Sequence, residues 1–177
     1  DDALDLSEVQ WETGQSYTPT SGKLKGLFEA RDNIEGDAKG IPYYVDRINN
    51  FIDTFAEESN RIHSEGFGID SDKTTGLFMY TINDMTTKKY KDYLKNHGLN
   101  NETGQFGNGE AGIDVTSQVL NGTNTLTGDD LQEKLIENKS KIIKNNPQYK
   151  GKTIKKVDDD YLVVDKMKAS QMSIAKD

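Results

Sequence analysis

The sequence predicts an α+β fold, and three of its features carry that prediction. Ile41, Val45, Ile48, Ile52, Phe55, Ser59 and Ile62 follow one another at alternating spacings of four and three residues, the period of one face of a long helix. Residues 100–128 are rich in Gly, Asn and Thr, a composition that favours short strands joined by turns. Ile154 to Val164 alternates and then closes on Tyr161-Leu162-Val163-Val164, which reads as a strand or hairpin. The expected architecture is a long helix, or a broken helix pair. It packs with a variable region of short antiparallel strands and one or two further helices.

Taken in order, residues 1–20 hold Trp11 and Tyr17 among polar residues and read as extended, ending in the turn-prone Thr18-Pro19-Thr20-Ser21-Gly22. Ser21 is a candidate N-cap for a first helix with Leu24, Leu27, Phe28 and Ile34 roughly on one face. That helix should weaken at Glu35-Gly36. Pro42 suits the first turn of a second helix over about 42–65, and Gly66 can stop it in a left-handed conformation. Leu77 to Tyr80 reads as an apolar strand or short buried segment, and Thr86 to Leu94 as a helix ending near Gly98. Ile113, Val115 and Val119 read as parts of short strands. Thr127-Gly128-Asp129-Asp130 matches a capping box ahead of Leu131, Leu135 and Ile142, so a helix should run to about Asn145 and end at Asn146-Pro147. Residues 166–177, with Met167, Met172 and Ile174, suit a last short helix or an ordered tail.

Composition narrows the function. Of 177 residues 33% are hydrophobic, a thin supply for a compact sphere of this size. The 30 acids against 22 bases give a net charge of -8, which opposes docking on nucleic acid or on an anionic membrane surface. There is no cysteine, hence no disulfide, thiolate nucleophile or Cys-ligated metal. No apolar run is long enough to span a membrane. The opening Asp1-Asp2-Ala3-Leu4, without an initiator Met or a signal peptide, suggests an excised fragment.

Candidate chemistry is sparse. His63 falls in the last turn of the long helix with Phe67 as its i+4 neighbour, and His97 sits in a turn-like Lys95-Asn96-His97-Gly98, so neither gathers ligands. Asp70-Ser71-Asp72-Lys73-Thr74-Thr75-Gly76 has part of a calcium-loop pattern but lacks its distal Glu. Asp158-Asp159-Asp160 reads as a solvated acidic turn, and the glycines at 104, 107, 109 and 112 form no phosphate cradle. Asn101, Asn121 and Asn138 lie in glycosylation sequons. No nucleophile elbow is present, and no catalytic, cofactor or metal residue is assigned. The helix seam is what remains. It reads either as the core-facing side of an amphipathic helix or as a face that pairs in part with helices absent from the fragment, with Tyr44, Phe51 and Ala56 widening it.

The borders of the seam add a resemblance. Gly22-Lys23-Leu24-Lys25-Gly26-Leu27-Phe28-Glu29-Ala30-Arg31-Asp32 is followed by Pro42-Tyr43-Tyr44, then by Asn60-Arg61-Ile62-His63-Ser64-Glu65-Gly66, then by Gly76-Leu77-Phe78-Met79. In that order and spacing, Ser21–Tyr80 resembles the middle segment of the flagellar hook-associated protein 1 family, which joins hook to filament. Leu162–Asp177 resembles more weakly the end of the family's central region, with Phe78 and Ile174-Ala175 as matching positions. Residues 33–41 are longer than the corresponding stretch in many members, and residues 81–160 match nothing in the family.

The resemblance implies a structural protein and not an enzyme, sitting as a ring of subunits between hook and filament. Its implied partners are the hook protein, a second junction protein, flagellin and copies of itself, with an export chaperone for the parent protein. Its implied location is extracellular, after export without a cleaved signal peptide. Residues 1–80 would be the helical portion of the rod domain after a short extended segment. Residues 81–177 would be a variable outer α+β region returning to the rod at about 161–177. Packing residues would be Ile41, Val45, Ile48, Ile52, Phe55 and Ile62, and motif residues Leu24, Leu27, Arg31, Asp32, Asn60, His63 and Gly66. The rival readings are a surface adhesin or ligand-binding module and, behind it, a secreted hydrolase built from 81–160.

Overall fold

The computed structural model of the chain describes residues 9–67, 76–100, 102–107 and 109–177. Asp70 and Asp72 of the calcium-like loop, and Asn101, lie outside the described residues. The fold is α+β, with helices and two small antiparallel sheets. The chain divides into two compact units, Asp1–Phe51 and Ile52–Asp177.

In the first unit a bridge between Gln10 and Ser16 closes a tight hairpin, and Trp11 meets Tyr17 edge to face at 4.8 Å between ring centroids. Helix α1, Gly22–Asp32, follows and buries no residue. Helix α2, Ile41–Glu65, begins in this unit and ends in the second. Gly40, just ahead of it, is required by space. A Cβ there would lie 2.5 Å from the Glu29 carbonyl oxygen.

The second unit is built around one hairpin. Strands β1 (Tyr80–Ile82), β2 (Ile113–Asp114), β3 (Lys152–Val157), β4 (Asp160–Asp165) and β5 (Met172–Ile174) form two sheets, β1 with β5 and the trio β2-β4-β3, every pairing antiparallel. Helices α3 (Thr87–Lys95), α4 (Thr116–Val119) and α5 (Gly128–Asn145) pack on them, with a 3₁₀ turn at Pro147–Tyr149. β4 divides the core in two. Leu162 and Val164 point into a cluster with Ala56, Tyr90 and Leu94, while Tyr161 and Val163 point into one with Val119, Leu135 and Ile142. A strand covered on both faces needs an unbroken apolar run, which is why Tyr161–Val164 stops alternating.

Several local expectations change. Neither Ser21 nor Thr127 caps its helix through its side chain. Each is followed by a left-handed glycine, Gly22 at φ 79° and Gly128 at φ 59°, which gives the chain a different approach from that of a capping box. Thr86 does cap α3, its hydroxyl accepting from the Lys89 N–H. Gly66 is not left-handed. Its N–H donates to the His63 carbonyl at 3.2 Å, and a Cβ would meet that same oxygen. The strand expected at Leu77–Tyr80 begins at Tyr80, Val119 is helical, and residues 172–174 pair as a strand where a helix was one expectation.

Asp158 sits at φ 57° in the β3–β4 turn and accepts from Lys91 and Lys95, both at 2.8 Å. These two lysines hold its carboxyl below the usual carboxylate range. A group depressed in this way stabilises the fold above its unfolded pKa of about 3.9 and loses that contribution as pH falls through the lower folded value. Because the pair is nearly half exposed, the loss should stay within about 1 kcal/mol. Urea unfolding of Asp158→Asn and the parent at pH 7 and pH 3 should show a gap at the first pH that closes towards the second.

Candidate functional site: the two faces of the long helix

Helix α2 has one face locked into the second unit and another in solvent. The locked face is Asp53, Ala56 and Asn60, the buried residues of the helix. They lie one step around the helix from the seam read in the sequence, and two of the three are polar. Each polar one has partners. Asp53 Oδ1 accepts from the Lys155 ammonium at 2.6 Å and from the Met167 N–H at 2.7 Å. Burial alone would push Lys155 down, but Tyr90, Asp53 and Glu57 outweigh it, and the net direction is upward. Next to this pair, Glu57 meets Lys139 of α5 at 2.6 Å.

Asn60 acts as a substitute strand. Its Nδ2 donates to the Tyr80 carbonyl at 2.8 Å and its Oδ1 accepts from the Tyr80 N–H at 2.6 Å. The side-chain amide thus satisfies both backbone groups of the first residue of β1, as a neighbouring strand would. Asn60→Ala leaves a donor and an acceptor without their partner, and should lower unfolding stability by about 2–3 kcal/mol in a denaturant titration. A purely superficial motif residue would move it by less than about 0.5 kcal/mol.

The seam itself is not core. Ile41, Val45, Ile48, Phe55 and Ile62 are exposed, with Ile48 at 54% and Ile62 at 59% of full accessibility, while Ile52 is half-buried. Tyr44 and Phe51 extend the same stripe, Phe51 at 66%. The core-facing reading of the seam is therefore corrected. The face that enters the core is 53/56/60, which hydrophobicity could not reveal because Asp53 and Asn60 are polar. Taking about half of each side chain as exposed, the stripe presents on the order of 700 Å² of apolar surface, against the roughly 300–600 Å² that is the largest patch of a typical monomer.

The other motif residues are surface features. Arg31 grips its neighbour Asp32 through two hydrogen bonds of 2.5 and 2.8 Å, which holds the Asp32 carboxyl below its ordinary range, and its guanidinium lies 4.8 Å from the Phe28 ring centroid. Leu24 and Leu27 are exposed on α1, and His63 is exposed in the last turn of α2. The structure does not gather these residues into one cluster with Asn60.

Elsewhere the surface is shallow. A cleft of about 310 Å³ is lined by Leu77, Thr87, Lys91, Lys95, Asp158 and Asp177. Its lysines at 91 and 95 are already tied to Asp158, and Asp177 accepts from the Thr87 N–H at 2.8 Å. Among the described residues no three His, Asp or Glu side chains are grouped to hold a metal, and no helix is long and apolar enough to cross a membrane. Asn138 is unsuited to glycosylation as folded, because its Nδ2 donates to the Val119 and Asn121 carbonyls from a buried position. No known family, curated protein or solved structure matches the chain.

Proposed function

We propose that this chain is a structural, non-catalytic part of a flagellar hook–filament junction protein, built into the axial assembly through the apolar face of α2. The observation that carries this reading is that stripe. A seam of heptad-like spacing lies uncovered along a helix, bordered by the Arg31–Asp32 and Asn60-x-x-His63-x-x-Gly66 motifs of the family it resembles. Such a stripe matches the apolar edge of another helix, which buries it by knobs-into-holes packing. In this reading the helices that cover it belong to the axial assembly. The hook protein, a second junction protein, flagellin and further copies of the chain are the neighbours of the ring, and the site of action is outside the cell.

The test belongs in cells that make this chain. Ile48→Asp combined with Phe51→Asp puts two charges into the stripe while leaving Asp53, Ala56 and Asn60 in place. The expected result is hooks without filaments by electron microscopy and loss of swimming. Filaments of normal number and length, with the variant present at wild-type level, would overturn the proposal.

A further inference from the structure

Helix α2 is continuous, yet its two ends are held by different means. From Asp53 onward every turn has a tertiary anchor. Asp53 holds Lys155 and the Met167 N–H, Ala56 is fully buried, Glu57 holds Lys139, and Asn60 holds Tyr80. Before Ile52 the first unit supplies no comparable core of its own. Among its described residues only Pro19 and Gly40 are buried, and α1 buries nothing.

Intrinsic propensity does not make up the difference. Ile41–Phe51 reads Ile-Pro-Tyr-Tyr-Val-Asp-Arg-Ile-Asn-Asn-Phe, in which aromatic, β-branched and Asn residues lose side-chain freedom or compete with the backbone, and only Arg47 ranks among the strong helix formers. Asp53–Glu65 contains Ala56, three glutamates and Arg61, and has Arg61 bonded to Glu58 and Glu65 along the helix. In water, helices of weak formers depend on packing of their apolar face.

We infer that α2 consists of a locked half, from about Asp53 to Glu65, and a conditional half, Ile41–Phe51, which is helical when its apolar stripe is covered and frays when the chain stands alone. The covering element then pays the ordering entropy of this half, so assembly and completion of the helix are one event. This inference holds whatever assembly the chain belongs to, and its failure would leave the flagellar reading untouched.

Hydrogen exchange followed by mass spectrometry tests it, on the whole chain at a concentration where light scattering reports a monomer. Amides of 45–51 should exchange within about tenfold of the unstructured rate, and those of 57–65 at least about 100-fold more slowly. Equal protection of the two halves in the monomer would overturn the inference. Val45→Ala with Ile48→Ala gives a second reading, because alanine raises helix propensity while removing apolar contact. For an uncovered stripe the protection of 45–51 rises; for a covered one it falls. Unchanged or reduced protection would overturn the inference.

Discussion

Asp53→Ala should cost this protein about 3–5 kcal/mol of unfolding stability, the range for removing one member of a buried ion pair. The carboxylate is 5% exposed and Lys155 6%, so the ammonium left behind can neither reach water freely nor find its former partner. The Met167 N–H loses its acceptor in the same substitution. Guanidinium titration is the measurement, and a loss below about 1 kcal/mol would show that the pair is not buried in solution. Replacing both partners, as Asp53→Leu with Lys155→Met, should recover most of the loss, because an apolar pair of similar volume needs no compensation for desolvation. About 1–2 kcal/mol should remain missing, the cost of the unmet Met167 N–H.

The same pair gives a pH signature. Lys155 is held above its ordinary value, so its contribution is fully present below the unfolded pKa of about 10.4 and is lost as pH rises through the folded one. The wild type should lose stability at strongly alkaline pH more steeply than the apolar double variant.

How much of this was legible in the sequence depends on which force fixed each element. The α2 helix, α5 and the β3–β4 hairpin were legible because periodicity and an apolar run reflect burial, and the run Tyr161–Val164 is apolar throughout because β4 faces a core on each side. The orientation of α2 was not legible. Its hydrophobic stripe pointed to one face as the core, but the docking face is specified by Asp53 and Asn60, whose partners Lys155, Met167 and Tyr80 are distant in sequence. Polar residues inside a core carry no periodic hydrophobic signal. The caps failed for a local reason: Ser21 and Thr127 have the right chemistry, but the following glycines turn left-handed, and a residue-by-residue pattern does not encode that turn.

The site divides in the same way. Asn60 was singled out as a motif residue and does have a specific partner, through an amide that completes β1. Arg31 and Asp32 were singled out on equal grounds and bond to each other on the surface. The sequence treats these as the same kind of signal, and only geometry separates an anchor from a surface pair. What joins the two faces of α2 is their division of labour. Polar side chains fix the helix to its own unit with directional bonds, which leaves the non-directional apolar stripe available for another surface.

Gly98→Ala should be the most damaging change of a single methyl group in the second unit, at least about 3 kcal/mol and beyond the usual 1–3 kcal/mol of overpacking. A Cβ at position 98 would lie 1.7 Å from the Ala111 carbonyl oxygen and 2.3 Å from its carbon. Both are backbone atoms, held where they are because the Gly98 N–H donates to the Glu110 carbonyl at 2.9 Å and the Gly112 N–H to the Lys95 carbonyl at 2.8 Å. No side chain can rotate out of the way, so the loop must open and release those bonds. The His97–Glu110 and Leu99–Phe106 bridges on either side should go with them. Gly104→Ala is the matched control in the same loop. Gly104 has φ 67° and open space around it, so alanine there meets only the left-handed backbone cost of about 1 kcal/mol. Thermal unfolding of the two variants should therefore separate the glycine needed for room from the glycine needed for conformation. Equal losses would mean that the chain at 98 and 111 does not approach as closely as this packing requires.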